Sequence, residues 1–233
     1  MPDATPVMFQ RWVNLAFLHW PVPADRLRPL VPPELTIQDF DGTSWVGIVP
    51  FRVEDLCARA SAWLPLNFNE INVRLYVEAE GKPGVWFVSL DADSSRAVLG
   101  ARAIFRLPYY LARMDLESGG SGATFTSRRV RVPAIEFRAR YAPDGDEFEP
   151  LPGTLEHFLI ERYCLYTRWY GGGLLRLEIQ HPPWRVSPAA VEIHANTLAA
   201  MQGIGLDPSE RPLAHFSRRQ DTVAWMPQPA TRG

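Results

Sequence analysis

The chain is poor in the residues that most often announce chemistry. It has two cysteines, Cys57 and Cys164, too few and too far apart to frame a disulfide scaffold or a zinc site. Lysine is rarer still: of the 24 residues counted as Lys+Arg, only Lys82 is a lysine, and it stands between Gly81 and Pro83 in a predicted turn. A buried lysine available for imine chemistry is thereby excluded. Long apolar runs are missing too. No stretch approaches the roughly 20 residues that span a bilayer, and the start MPDATPVMFQ lacks the basic start and apolar core of a signal peptide, so a cytoplasmic protein with no membrane partner is expected. An excess of one charge is also lacking. A formal net charge of -2 offers no global attraction to nucleic acid. The nearest basic run, Arg128, Arg129 and Arg131 in SRRVRV, alternates between strand faces and reads as solvated arginines on an exposed strand.

What is present is ordinary globular composition, 46% hydrophobic and 21% charged over 233 residues. One domain over residues 1–233, with an ordered core at about 9–226, is favoured over two small ones. VMFQRWVNLAFLHW is a strand or a short helix, and Asp25 can cap a short helix ADRLRPLV closed by Pro32 and Pro33. DGTSWVGIVPFRVEDL reads as a strand, and residues 68–91 as a hairpin about Gly-Lys-Pro-Gly. Asp93 or Ser94 caps a helix to about Phe105, with Val98, Ala101, Arg102 and Phe105 on one stripe, and Pro108 ends it. ESGGSGA turns between two strands, YAPDGDEFEPLPG is a loop with room for a hairpin turn, and Thr154 caps TLEHFLIE. RYCLYTRWY and LLRLEIQHPPWRV form a hairpin about Gly171–Gly173; a strand, a short helix near 196–202 and a last strand at 214–226 follow. Strands outnumber helices and come as hairpins, the pattern of an α+β fold with an antiparallel sheet or barrel and flanking helices.

One stretch raises a functional question. FNEINVRLYV puts Glu70, Asn72, Arg74 and Tyr76 on one strand face and Ile71, Val73, Leu75 and Val77 on the other. Either the polar row is a wet face, or it points inward, where an ionised carboxylate must be paired or shift its pKa. Its hairpin partner VWFVSL is apolar on both faces, and such a strand needs cover on both sides, which favours the inward reading.

The blocks FLHWPVPADRLRPLVPPEL, DGTSWVGIVPF, NEINVRLYV, GKPGVWFVSLDA, ARAIFRLPYYLARM, LEHFLIERYCLYT and HPPW resemble, in one order over about residues 9–226, the YqjF-like family, domain of unknown function 2071. That family is similar, more distantly, to acetoacetate decarboxylase, and the resemblance implies a cone-like β-barrel with a buried cavity and peripheral helices. The decarboxylases carry two adjacent lysines after the proline that ends the central helix, one forming a Schiff base and its neighbour lowering that lysine's pKa. Here Tyr109 and Tyr110 follow Pro108. A phenol forms no imine, so that mechanism does not carry over.

Glu70 resembles a cavity glutamate of the decarboxylases, and Arg102 an arginine of their central helix. Successive strand residues face opposite ways, so only one of Tyr109 and Tyr110 points inward, with Tyr109 preferred. Glu70, Arg102 and Tyr109 are the candidate catalytic groups. Arg74, Asn72, Tyr110, Arg162, Tyr163, His19 and His181 are candidate ligand contacts, the two histidines standing beside Trp and Pro at strand ends. The five histidines show no H-x-H or H-x-x-x-H spacing, so no metal is expected, and no cofactor fingerprint is present. Three functions stay open: acid–base chemistry on a carbonyl or carboxylate compound, binding of an apolar metabolite without turnover, and a structural barrel filled by side chains. Assembly into a homo-oligomer also stays open.

Overall fold

The computed structural model describes residues 4–59, 65–119, 122–169, 171–207 and 210–230. Its strands are β1 (Met8–Pro21), β2 (Thr36–Ile37), β3 (Asp39–Phe40), β4 (Thr43–Ala58), β5 (Leu66–Ala79), β6 (Lys82–Ala92), β7 (Tyr109–Gly119), β8 (Gly122–Arg129), β9 (Glu136–Pro143), β10 (Cys164–Arg168), β11 (Leu174–Gln180), β12 (Ser187–Asn196), β13 (Leu213–Ala224) and β14 (Gln228–Pro229). Helices α1 (Ala24–Leu27), α2 (Ser95–Gly100) and α3 (Leu155–Ile160) are short. The fold is α+β and dominated by sheet.

The pairing order decides where a site can form. It runs β6-β7-β8-β9-β12-β13-β1-β4-β5 and closes on itself where β5 pairs β6. A second closed path runs β13-β11-β10-β6-β5-β4-β1, because β11 also pairs β13. Two rings therefore share one wall, made of β13, β1, β4, β5 and β6. The expected antiparallel pattern holds except at β6, which pairs in parallel with both β7 and β10. Residues 93–108 form a helical crossover from β6 to β7, and a crossover of this length returns the chain in the direction it left.

The shared wall is buried on both faces, and each face belongs to a different core. Ala16 and Leu18 of β1, Val46 and Ile48 of β4, and Ile71, Val73 and Leu75 of β5 pack with Phe125, Phe137 and Tyr141 from β8 and β9. On the other side Leu15, Phe17, Val49, Phe51 and Phe68 join Leu165 and Leu177 of β10 and β11. Alternation alone would break this order in the long strands, and two bulges restore it. Asn14 and Asp55 adopt left-handed φ values of 51° and 53° where the pairing shifts register. Each bulge turns the following residues, so Met8, Gln10 and Trp12 share a side with Leu15 and Phe17.

Ser94 caps α2 by accepting from the Ala97 N–H, and Thr154 caps α3 through His157 N–H. Asp25 lies inside the first turn of α1 and is not its cap. The helix after Ser94 is α-helical only to Gly100; residues Ala101–Phe105 widen into a π-helix that ends at Arg106 in the left-handed region. The hairpin turn allowed for residues 141–153 is absent among the described residues, where Phe148 instead bridges Val186. HPPWRV lies beyond the end of β11. One expectation of solvation also fails. Arg129 is buried in a bidentate ion pair with Asp91, Nη2 donating to Oδ1 at 2.7 Å and Nε to Oδ2 at 2.8 Å. Lys82 opens β6 and pairs with Glu178 at 2.6 Å, half-exposed. The turn residues Gly120 and Ser121, and Tyr170 before Gly171, lie outside the described residues.

Candidate functional site

The second ring, of seven strands, is hollow. A cavity of about 640 Å³ is lined by residues from β1, β4, β5, β6, β10, β11 and β13, that is, from every strand of that ring. The crossover helix covers one side with Ala97, Gly100, Ala101, Ile104 and Phe105. The lining is overwhelmingly apolar and rich in aromatics. Trp12 stacks on Trp184 with centroids 5.9 Å apart, and Phe17 meets Trp184 edge-on at 4.9 Å.

Into this surroundings β5 projects its even-numbered residues. Glu70, Asn72 and Arg74 all line the cavity and are 5%, 5% and 9% exposed. The odd-numbered residues supply the opposite core, so one strand separates packing from polarity. Tyr109 reaches the same place from the start of β7, whose first residues run parallel to β6. Its hydroxyl donates to Glu70 Oε2 at 2.6 Å.

Electrostatics follow from burial. Desolvation pushes the Glu70 carboxyl up to about 7; hydrogen bonds from Tyr109 and Asn72 pull the other way, and the Asp91 charge adds to the rise. Both protonation states are thus populated near neutrality. Desolvation and the Glu70 carboxylate hold the Tyr109 phenol protonated far above its usual range. Asn72 Oδ1 is buried without a hydrogen-bond partner among the described residues.

Arg74 is the unusual member. It donates from Nε to Tyr76 Oη at 3.2 Å and from Nη2 to the Leu159 carbonyl at 2.8 Å, and its guanidinium sits 5.0 Å from the Phe17 ring. Among the described residues no carboxylate stands within salt-bridge distance of it. Gly47 lies directly across β4 from Arg74, and a Cβ there would come within 3.0 Å of Tyr76 Oη and 3.1 Å of Arg74 Cγ. The missing side chain leaves the guanidinium its room.

A relay leads away from the cavity. Tyr76 Oη accepts from Arg74 and shares a 2.6 Å hydrogen bond with His19 Nε2. The other ring nitrogen of His19, Nδ1, is buried and unpartnered among the described residues. Burial and the Arg74 charge keep this imidazole neutral, well below the ordinary histidine range.

The remaining candidates fall elsewhere. Arg102 does not reach the cavity: the inward stripe runs through Ala97, Ala101 and Phe105, and Arg102, to its side, is exposed and donates to the Tyr109 carbonyl at 2.7 Å. Tyr110 faces outward, 37% exposed, with the Arg129 guanidinium 3.8 Å over its ring. His19 stands behind Tyr76. Arg162 is buried on the far side of the Tyr76 ring, donating to the Phe158 carbonyl and to Gln38, and burial lowers its pKa to about 10. Tyr163 donates to Glu161 and stacks on His181 at 4.5 Å, away from the cavity. His181 lines a separate open groove with Arg11 and Asp221.

Three polar residues at the cavity escaped the sequence reading. Gln10, Arg59 and Arg96 line it, with both arginines exposed. Alternation along β1 could have pointed to Gln10, but nothing local marks the arginines. Among the described residues no group of three or more His, Cys, Asp or Glu side chains comes together to hold a metal, and no helix is long and apolar enough to cross a membrane.

Comparison with known proteins places the chain. Residues 9–221 match the family model described as "Uncharacterized conserved protein", domain of unknown function 2071. The chain belongs to this family. It is 40% identical over 227 residues to the uncharacterized protein YqjF of Bacillus subtilis (strain 168), covering 97% of this chain and 93% of that one. In fold it is similar to the enduracididine biosynthesis enzyme MppR complexed with pyruvate, at a TM-score of 0.70 and 13% identity over 99% of this chain and 92% of that one. It is also similar to acetoacetate decarboxylase from Legionella pneumophila subsp. pneumophila str. Philadelphia 1, at a TM-score of 0.64 and 17% identity over 97% and 87%. The fold is that of the acetoacetate decarboxylase-like proteins.

Proposed function

We propose that the hollow ring binds a small organic acid or carbonyl compound and that Glu70 exchanges a proton with it. The observation that carries this reading is Arg74, a buried cation without a carboxylate partner among the described residues, opening onto an apolar cavity that also holds, four residues along the strand, a carboxyl raised to about 7. A guanidinium withdrawn from water needs an anion to offset its lost hydration, and a ligand carboxylate supplies one. Glu70 near 7 is poised to accept or give a proton at neutral pH. Tyr109 holds it in place through the 2.6 Å hydrogen bond. Fold neighbours complexed with pyruvate or named for acetoacetate support small-molecule chemistry.

The reaction class is proton transfer at a carbon next to a carbonyl: the Glu70 carboxylate takes the proton, the electron pair moves into an enolate, and the proton returns. Imine formation has no place in it, because Lys82 is paired with Glu178 outside the cavity. The test is exchange of that carbon's hydrogen for deuterium in deuterium oxide, offered with 2-ketobutyrate and larger 2-keto acids. Exchange that Glu70→Gln abolishes supports the reading. A second reading, binding without turnover, is favoured by the apolar lining, and ligand-induced thermal stabilisation without exchange would establish it.

A further inference from the structure

We infer that the ligand is a monocarboxylate with a bulky apolar body, its carboxylate at Arg74 and its body against the aromatic wall. This rests on the reading of the cavity as an organic-acid site and narrows it.

Volume argues first. At the roughly 30 Å³ that one water occupies in the liquid, the cavity of about 640 Å³ holds about twenty such units. An acid the size of pyruvate would fill only a small part. The remainder would be left to water against Trp12, Phe17, Phe51 and Trp184, which give it almost nothing to bond to. An apolar body of eight or so carbons would displace that water.

Charge argues second. Of the three arginines among the described lining residues only Arg74 is buried, and Glu70 stands four residues away along the same strand. A second ligand carboxylate would meet Glu70 and a desolvated, apolar wall, so one anionic group is accommodated and two are not. Arg59 and Arg96 are exposed and draw anions toward the opening without having to pair with them.

The experiment is calorimetric titration at pH 8 with butanoate, hexanoate, octanoate and 1-octanol. Affinity is expected to rise about fourfold for each added methylene, and octanoate should bind at least tenfold more tightly than 1-octanol. In Arg74→Met the acid should bind no more tightly than the alcohol, with 1-octanol affinity unchanged. Butanoate binding as tightly as octanoate overturns the bulky body and leaves the organic-acid site intact. Octanol matching octanoate in the unaltered protein, a comparison that needs no variant, defeats the organic-acid reading itself. Loss of the acid preference in Arg59→Ala with Arg96→Ala, but not in Arg74→Met, overturns the assignment of the carboxylate to Arg74.

Discussion

The two rings share a wall of five strands yet treat it in opposite ways. On one face of β5, Ile71, Val73 and Leu75 are interleaved with aromatic residues of β8 and β9 and leave no comparable hollow among the described residues. On the other face, one residue away each time, Glu70, Asn72 and Arg74 border empty space. Burial is nearly complete on both sides, so burial does not distinguish stability from function here. Completeness of packing and of polar pairing does. The filled ring pairs its buried Asp91 with Arg129, whereas the hollow ring leaves Arg74 without a carboxylate partner among the described residues.

Breaking the filled side should have the largest effect. Phe125, fully buried against Phe137, should lower unfolding free energy by about 3–5 kcal/mol when changed to alanine, measured by urea denaturation. Ligand affinity of the folded fraction should not change.

The hollow side should reveal itself through pH. Glu70 binds its proton more tightly folded than unfolded, so the stability it confers is full below about 4.5 and is lost as pH rises through about 7. The shift corresponds to something on the order of 3 kcal/mol. Glu70→Gln should therefore flatten the stability profile between these limits and leave the variant the more stable protein above pH 7. A profile as steep as that of the parent would contradict the burial of Glu70.

A smaller effect tests the geometry that joins the two faces. Gly47→Ala should cost about 1–2 kcal/mol by pressing on Arg74 and Tyr76, and should weaken anion binding more than it weakens the fold. The smallest effect is expected outside both rings. Arg102→Ala removes an exposed side chain and should change stability by no more than about 0.5 kcal/mol and leave ligand binding untouched, which sharpens the boundary of the site.

Much of this was legible in the sequence because it is local. Period-two alternation in NEINVRLY put Glu70, Asn72, Arg74 and Tyr76 on one face, the first three of which line the cavity, and the apolar strand VWFVSL implied cover on both sides. Ser94 and Thr154 announced their helices by the bonds a capping hydroxyl makes. What was not legible depends on partners distant in the chain or on single backbone angles. Arg129 looked solvated because its partner Asp91 lies 38 residues away. Arg102 was placed inward on an ideal α-helical stripe, but the helix turns Ala97, Ala101 and Phe105 to the cavity and widens before Arg106. The bulges at Asn14 and Asp55 are one-residue events that reverse the facing of everything after them. Parallel pairing at β6 depends on how a helical crossover docks, which periodicity does not encode.

The most direct test is the titration of the Glu70 carboxyl, followed by its side-chain ¹³C chemical shift and assigned with Glu70→Gln. A polar row sealed in an apolar hollow requires a midpoint near 7. A midpoint near the ordinary glutamate value of about 4.3 would place this carboxyl in water and contradict the enclosed site.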